Sequence, residues 1–370
     1  MRDTITSPSF FIGRGDTGLT SGLISFGSGQ PDLPPPPDAY RVLEHYRGFK
    51  YGLVQGEEPL RAALALEYPD AQAEDFVITN GASEAIDLAL RVISTPGGKI
   101  LLPRPYYYSY PENVKLAGMT PVYCDLDRDG KIDFAAFEAA VKGCVGVIIN
   151  SPSNPTGTVQ EVETLKKIEE LCERLGVYII SDEVYKDLIY VRENYLLKGK
   201  RVLTVNSFSK TYGMCGLRVG YLYSKNKDIV SRVVEAKTHT SMNTSIVGQA
   251  MALAAMGERA TYVDAHVAIW EERRDLMYNG LRALGMELYK PEGAFYVLPK
   301  FDDPTQAMHD LYYDYKIITY DGAWFGAPDR LRLSYALDKE KIEEGLRRLG
   351  KYLEAMRQGQ PAINLAAPAL

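Results

Sequence analysis

The sequence predicts an α/β fold: a mainly parallel seven-stranded sheet flanked by helices, joined to a smaller α+β domain. Two observations carry this. Seven short β-rich runs precede turns rich in glycine or polar residues, and most are separated by stretches of helical period. Runs apolar throughout belong to strands buried on both faces, and their alternation with helices gives a parallel sheet covered on each side. At 370 residues the chain is also long enough for a large core with a second, smaller unit.

In chain order the strand runs are 76–79, 100–102, 122–124, 145–149, 177–180, 202–205 and 219–222, with helical patterns such as 84–92 and 162–175 between them. A long helical pattern over 262–284, charged on one side by Glu271, Glu272, Arg273, Arg274 and Asp275, leads out of the sheet. Beyond it lie strand-like 294–298 and 331–335 and helical 305–315 and 339–356. The last of these puts Ile342, Leu346, Leu349 and Leu353 on one face, which requires a core to pack on. The expected division is a large domain over 30–265, a small domain over 1–29 plus 266–358, and a loose Pro/Ala-rich tail over 359–370.

Hydrophobic content of 46% and charged content of 24% are ordinary globular values. A net charge of −6 argues against nucleic acid as a partner, which needs a basic footprint. No apolar run approaches a membrane span, and Met1-Arg2-Asp3-Thr4 lacks a signal-peptide core, so a cytoplasmic protein is expected. Cys124, Cys144, Cys172 and Cys215 have no ligand-like spacing and read as buried reduced thiols. His45, His239, His266 and His309 are dispersed, which disfavours a histidine triad or a metal site.

The chemistry is read from the residues just past each strand, because ligands of open α/β sheets bind beyond the carboxyl ends. Lys210 lies in Ser207-Phe208-Ser209-Lys210, with Arg218 eight residues on. A lysine among hydroxyls can form a Schiff base with an aldehyde, while the hydroxyls and guanidinium hold an anion; the combination points to pyridoxal phosphate. Alone, the segment is equally a polar loop. Asn80-Gly81-Ala82-Ser83 opens a helix and suits an anion, or is an ordinary cap by Ser83. The tyrosines of 106–110 suit a planar ring or packing. Asn154, in Asn-Pro-Thr-Gly, is turn chemistry or an amide aimed above the sheet. Asp182 emerges from a hydrophobic run and needs a cationic partner or several donors; a protonated pyridine nitrogen is one. Five such features at the ends of five of the seven strands are far more specific than any one.

With these residues the sequence resembles the class I/II, aspartate-aminotransferase-like group of fold-type I pyridoxal-phosphate enzymes, from Gly29-Gln30-Pro31-Asp32 to Arg332-Leu333-Ser334-Tyr335. The resemblance implies that Lys210 carries pyridoxal 5'-phosphate as a Schiff base and acts as general base. Asp182 then pairs with the pyridinium nitrogen, Asn154 and Tyr185 with the ring hydroxyl oxygen, and Tyr107 stacks on the ring. Gly81, Ala82, Ser83, Ser207, Ser209 and Arg218 match the phosphate-binding positions. Tyr51 matches a tyrosine that reaches the phosphate from a neighbouring subunit, which implies a homodimer with shared active sites. Arg332 matches the arginine for the substrate α-carboxylate, assisted by Gly29, and Asn154 is also a substrate-binding position. Arg330 is a decoy two residues away on the same expected strand face.

The implied activity is ping-pong transfer of an amino group between an L-amino acid and a 2-oxo acid. Tyr107 stands where tryptophan is commoner, Ser83 where members acting on acidic substrates carry lysine, and 237–241 offers no arginine. A strictly acidic substrate is thus not expected, with Arg14, Arg104, Lys237 and His239 the remaining cations for one. Phe10, Phe11, Ile12 and Tyr296 are candidates for an apolar or aromatic side-chain pocket, or for plain packing. The same scaffold also carries β-lyases, cyclases and decarboxylases, and histidinol-phosphate aminotransferase is close in length and lysine motif. Transcription regulators with an aminotransferase-like domain need a basic DNA-binding extension that the sequence does not offer.

Overall fold

The computed structural model describes residues 4–11, 22–191 and 194–359. A two-residue strand, β1 (Ile24–Ser25), precedes the main sheet. That sheet consists of β2 (Phe76–Thr79), β3 (Lys99–Arg104), β4 (Thr120–Asp125), β5 (Gly146–Asn150), β6 (Tyr178–Asp182), β7 (Val202–Ser207) and β8 (Gly220–Tyr223). Its order is β2-β8-β7-β6-β5-β3-β4, with β4, β3, β5, β6 and β7 mutually parallel and β8 antiparallel to both neighbours. Reversal of β8 has a consequence for the site. The end of β2, the start of β8 and the end of β7 meet on one edge, since Gly220 pairs with both Thr79 and Ser207.

Alternation along the strands explains both covering layers. Ile148, Ile180, Leu203 and Val205 point to the core shared with Ile86, Leu90 and Val233 of the helices Gly81–Ile93 and Lys227–Thr238. Val147, Ile149 and Ile179 point to the opposite core with Phe137, Leu165 and Ile168, from the helices Phe134–Val141 and Val162–Leu175. A period of two thus feeds two apolar layers, which is why these runs read as apolar throughout. The run at 122–124 departs from the expectation. β4 is the sheet edge, and Thr120, Tyr123 and Asp125 are exposed.

The long helix spans Arg259–Ala283 and packs on the last helix, Lys339–Arg357. Ile342 and Leu349 are buried there, with Leu346 and Leu353 half-buried against the same core. Around them lie β9 (Tyr296–Val297), β10 (Ile317–Ile318), β11 (Tyr320–Asp321) and β12 (Leu331–Ser334). The three strands β11-β12-β9 form an antiparallel sheet, and β1 pairs in parallel with β10. The Ser334 N–H donates to the Phe26 carbonyl at 2.6 Å, which sets residues 26–29 beside β12. No helix among the described residues is long and apolar enough to cross a membrane.

Lys237, one of the cations considered for a substrate carboxylate, is fully buried; its Nζ donates to Glu84 at 2.9 Å and to Ser241 at 2.7 Å. It joins two helices that cover the sheet. Lys237→Met, which leaves Glu84 without its cation, is expected to cost about 3–5 kcal/mol of stability in denaturant unfolding. The double variant with Glu84→Gln should recover part of that loss, whereas an unchanged midpoint in the single variant would show that the pair contributes nothing.

Candidate active site

The ends of β5 and β6 are joined by a side chain that the sequence did not single out. Asn150 donates to the Asp182 carbonyl at 3.0 Å and accepts the Asn154 N–H at 2.8 Å. It thereby orders the turn after β5. Asn154, 4% exposed, accepts from Arg332 Nη1 at 3.0 Å. Asp182 is equally buried; its carboxylate accepts the Tyr110 hydroxyl at 2.5 Å and the Val184 N–H at 3.2 Å. Burial pushes this carboxyl up to about 6, against the downward pull of Tyr110, the Val184 amide and the Lys210 charge. Tyr110 is the second residue missed, since the cluster at 106–110 does not say which phenol turns inward.

β7 ends at Ser207, whose hydroxyl accepts the Ser209 N–H and caps the short helix Phe208–Thr211 that carries Lys210. Lys210 Nζ donates to the Gly29 carbonyl at 2.5 Å. Arg218 sits just before β8 with φ 54°, a left-handed conformation unusual for arginine. It donates to the Cys215 carbonyl at 3.0 Å and reaches the Asn80 carbonyl at 3.4 Å. Gly81 lies directly beneath it. With φ +77° and a space where a Cβ would come within 2.3 Å of the Arg218 guanidinium, position 81 requires glycine. The helix itself begins at Gly81 with Asn80 at its N-cap, so Ser83 lies in the first turn and is not the cap.

Arg332 is 2% exposed and its guanidinium carbon lies 4.6 Å, 4.8 Å and 4.8 Å from the ring centres of Tyr296, Tyr320 and Phe325. It donates to Asn154 and to the Gly27 carbonyl, and its Nε has no partner among the described residues. Arg330 does not share this place. It turns to the Leu298 carbonyl at 2.9 Å, to Glu287 at 3.3 Å and to the Tyr289 ring.

One cavity of about 610 Å³ collects these groups. Gly29, Ala82, Ser83, Tyr107, Asn154, Asp182, Tyr185, Ser207, Ser209, Lys210, Arg218 and Arg332 line it, as do Tyr296 and Tyr320. Gly81 lies under Arg218, while Tyr51 is outside the cavity and 84% exposed. Tyr107 meets Tyr108 and Tyr110 edge-on, at 4.8 Å and 5.5 Å between ring centres. Cys215 departs from the buried thiols: Cys124, Cys144 and Cys172 are buried, but Cys215 is half-buried on the cavity wall, with Sγ 3.0 Å from the Ser209 carbonyl.

The other cations considered for a distal carboxylate are held elsewhere. Arg104 pairs with Asp125 at 2.8 Å, and His239 lies at the surface 2.9 Å from Glu235. Arg14 and Ile12 lie outside the described residues, as does the tail from 360. Phe11 packs on Tyr320 and Tyr312, so packing accounts for it.

Three observations test whether these residues fit pyridoxal phosphate. The Gly81–Arg218 cradle has backbone and guanidinium where a Cβ would intrude, as an anion site needs. Asp182 is a buried carboxylate facing a cavity without a full counter-charge in contact. Lys210 lies on the same cavity wall, its amine presented there on the Gly29 carbonyl. The set fits.

Comparison with known proteins identifies the family. Residues 21–349 match the family described as aminotransferase class I and II. The chain is 33% identical to the probable aspartate/prephenate aminotransferase of Aquifex aeolicus, over 90% of this chain and 91% of that one. Its fold is similar to the aspartate aminotransferase of Thermotoga maritima, with TM-score 0.88, 29% identity and coverage of 95% and 98%. It is also similar to the aromatic aminotransferase of Pyrococcus horikoshii, with TM-score 0.83, 28% identity and coverage of 93% and 99%. A match over most of the chain, with a fold-type I sheet and a lysine, carboxylate and two arginines around one cavity, makes this protein an enzyme of the class I and II aminotransferase family.

Proposed function

We propose that the protein is a pyridoxal 5'-phosphate-dependent aminotransferase acting on an L-amino acid and a 2-oxo acid whose side chains are neutral or aromatic. The observation that carries the reading is the single cavity in which Lys210, Asp182, Arg218 and Arg332 converge from separate elements. Lys210 Nζ would hold the cofactor through its aldehyde carbon. Ala82, Ser83, Ser207, Ser209 and Arg218 would hold its phosphate over Gly81, while Tyr107 would cover the ring face. When bound, the cofactor supplies an electron sink for the carbanion formed at the substrate α-carbon.

The chain supplies the rest. Asp182 keeps a proton on the ring nitrogen, and Tyr110 and the Val184 N–H hold its carboxylate in place. Asn154 and Tyr185 donate to the ring hydroxyl oxygen. Arg332 takes the substrate α-carboxylate with its remaining donors, beside the backbone of Gly29. With the substrate in place, Lys210 Nζ would act as general base, taking up the substrate α-proton and later giving it back as general acid. Repetition with the second oxo acid gives ping-pong kinetics.

Substrate preference is argued from charge. Among the described residues lining the cavity, the cations are Lys210, Arg218 and Arg332, and each has one of these roles. The remaining polar groups, such as Ser28, Gln30, Tyr108 and Tyr320, are neutral. The exposed apolar segment around Phe49 and Tyr51, 86% and 84% exposed, suits a second copy of the chain, whose cavity Tyr51 would enter. In this reading residues 30–265 form the cofactor-binding domain and 1–29 plus 266–358 the smaller one, in a cytoplasmic homodimer.

Wild-type apoprotein should gain visible absorbance on addition of pyridoxal phosphate, and Lys210→Ala should abolish it; an identical spectrum in the variant would exclude Lys210 as the attachment point. A second expectation concerns pH. Because Asp182 is raised to about 6 from the usual 3.8, the folded apoprotein binds more protons than the unfolded chain between these values. Its contribution therefore favours folding below about 4 and is lost as pH rises through about 6. Asp182→Asn should raise the apoprotein's unfolding midpoint at pH 8, with the gain shrinking toward pH 4, while weakening pyridoxal phosphate binding. A gain equal at both pH values would contradict the assignment.

A further inference from the structure

Tyr296 stands where three parts of the site meet. Its strand, β9, pairs with β12 through Ser334, which lies two residues past Arg332. From there its hydroxyl lies 2.8 Å from the Tyr185 hydroxyl, and its ring face lies 4.6 Å from the Arg332 guanidinium carbon. A Cβ added at Gly29 would come within 2.3 Å of the Tyr296 hydroxyl, so the bare backbone at 29 makes room for that phenol. The side chain is 1% exposed and packs edge-on against Tyr185, at 5.7 Å between ring centres. The sequence offers Tyr296 only as a side-chain pocket or packing residue.

We propose that Tyr296 is a positioning residue that ties the tyrosine at the cofactor hydroxyl to the arginine at the substrate carboxylate. This rests on the roles proposed for Tyr185 and Arg332. The two ties use different parts of one side chain. A phenol has a single proton. With the Tyr185 proton directed to the cofactor, Tyr296 must donate to the Tyr185 oxygen, which fixes the direction in which Tyr185 donates. The ring face, with Tyr320 and Phe325, encloses the Arg332 guanidinium and holds its plane. Gly29 completes the arrangement, since its carbonyl receives Lys210 while its missing side chain admits the phenol.

Two variants separate these ties. Tyr296→Phe keeps the face and loses the hydroxyl; Tyr296→Leu loses both. Calorimetric titration of each apoprotein with pyridoxal phosphate reads the first tie. The KM of the best amino donor in the loaded enzyme reads the second. Tyr296→Phe should weaken pyridoxal phosphate binding about threefold to tenfold and move the pH midpoint of the bound cofactor's absorbance. Its KM should stay within about twofold of wild type, because the cation–aromatic contact survives. Tyr296→Leu should additionally raise KM about threefold to thirtyfold. Gly29→Ala, which displaces the phenol from a different residue, should reproduce the cofactor effects of Tyr296→Phe. The proposal is overturned if Tyr296→Phe matches wild type in cofactor affinity and absorbance midpoint, or if it raises KM as much as Tyr296→Leu. If the leucine variant does not fold, Tyr296→Phe and Gly29→Ala decide by themselves. Wild-type protein that fails to bind pyridoxal phosphate would instead overturn the functional reading on which the proposal rests.

Discussion

A carboxylate buried at the end of an interior strand is the constraint on which the rest of the site depends. Asp182 leaves β6 with both neighbouring strands in place, so its backbone cannot shift without disturbing the sheet. Tyr110 and the Val184 N–H hold the carboxylate, and Asn150 ties its carbonyl to the turn bearing Asn154. Held there at 4% exposure, an ionised carboxyl is costly until a cation reaches it. The apoprotein therefore stores an electrostatic demand that a cation entering the cavity would meet. The same frame connects onward through Asn154 to Arg332, so the buried carboxylate and the buried guanidinium share one hydrogen-bonded support.

The Gly81–Arg218 edge of the cavity depends on sheet topology rather than on a single element. Reversing β8 between β2 and β7 brings the loop before β8 to the same edge as the end of β2. Arg218, in a left-handed conformation, then lies over Gly81, and neither position works without the other. The Gly29 wall of the cavity comes from residues distant in sequence. Ser334 holds the Phe26 carbonyl, which brings Gly29 to Lys210 across a separation of 181 residues.

Much of this was legible in the sequence, for a physical reason. Strands buried on both faces leave long apolar runs, their ends are easy to locate, and polar groups at those ends share an edge. Lys210, Asp182, Asn154, Arg218 and Arg332 are legible in that way or by motif, and one cavity holds them. Contacts that depend on side-chain direction across the fold were not legible. Tyr110 is one of several tyrosines, Asn150 reads only as the end of a strand, and Arg330 and Arg332 are told apart by motif match alone. Lys237 reads as an available cation, whereas the fold buries it against Glu84, 153 residues away. The two-residue strands β1, β9, β10 and β11 are too short to show any period.

The central claim is that these residues move an amino group and do not eliminate or decarboxylate. The most direct measurement mixes enzyme loaded with pyridoxal phosphate with an excess of an amino donor and no oxo-acid acceptor, and quantifies the 2-oxo acid released. Transamination predicts that release stops at one equivalent per subunit and resumes when an acceptor is added. Continuous release of products far beyond one equivalent, without any acceptor, would contradict the account.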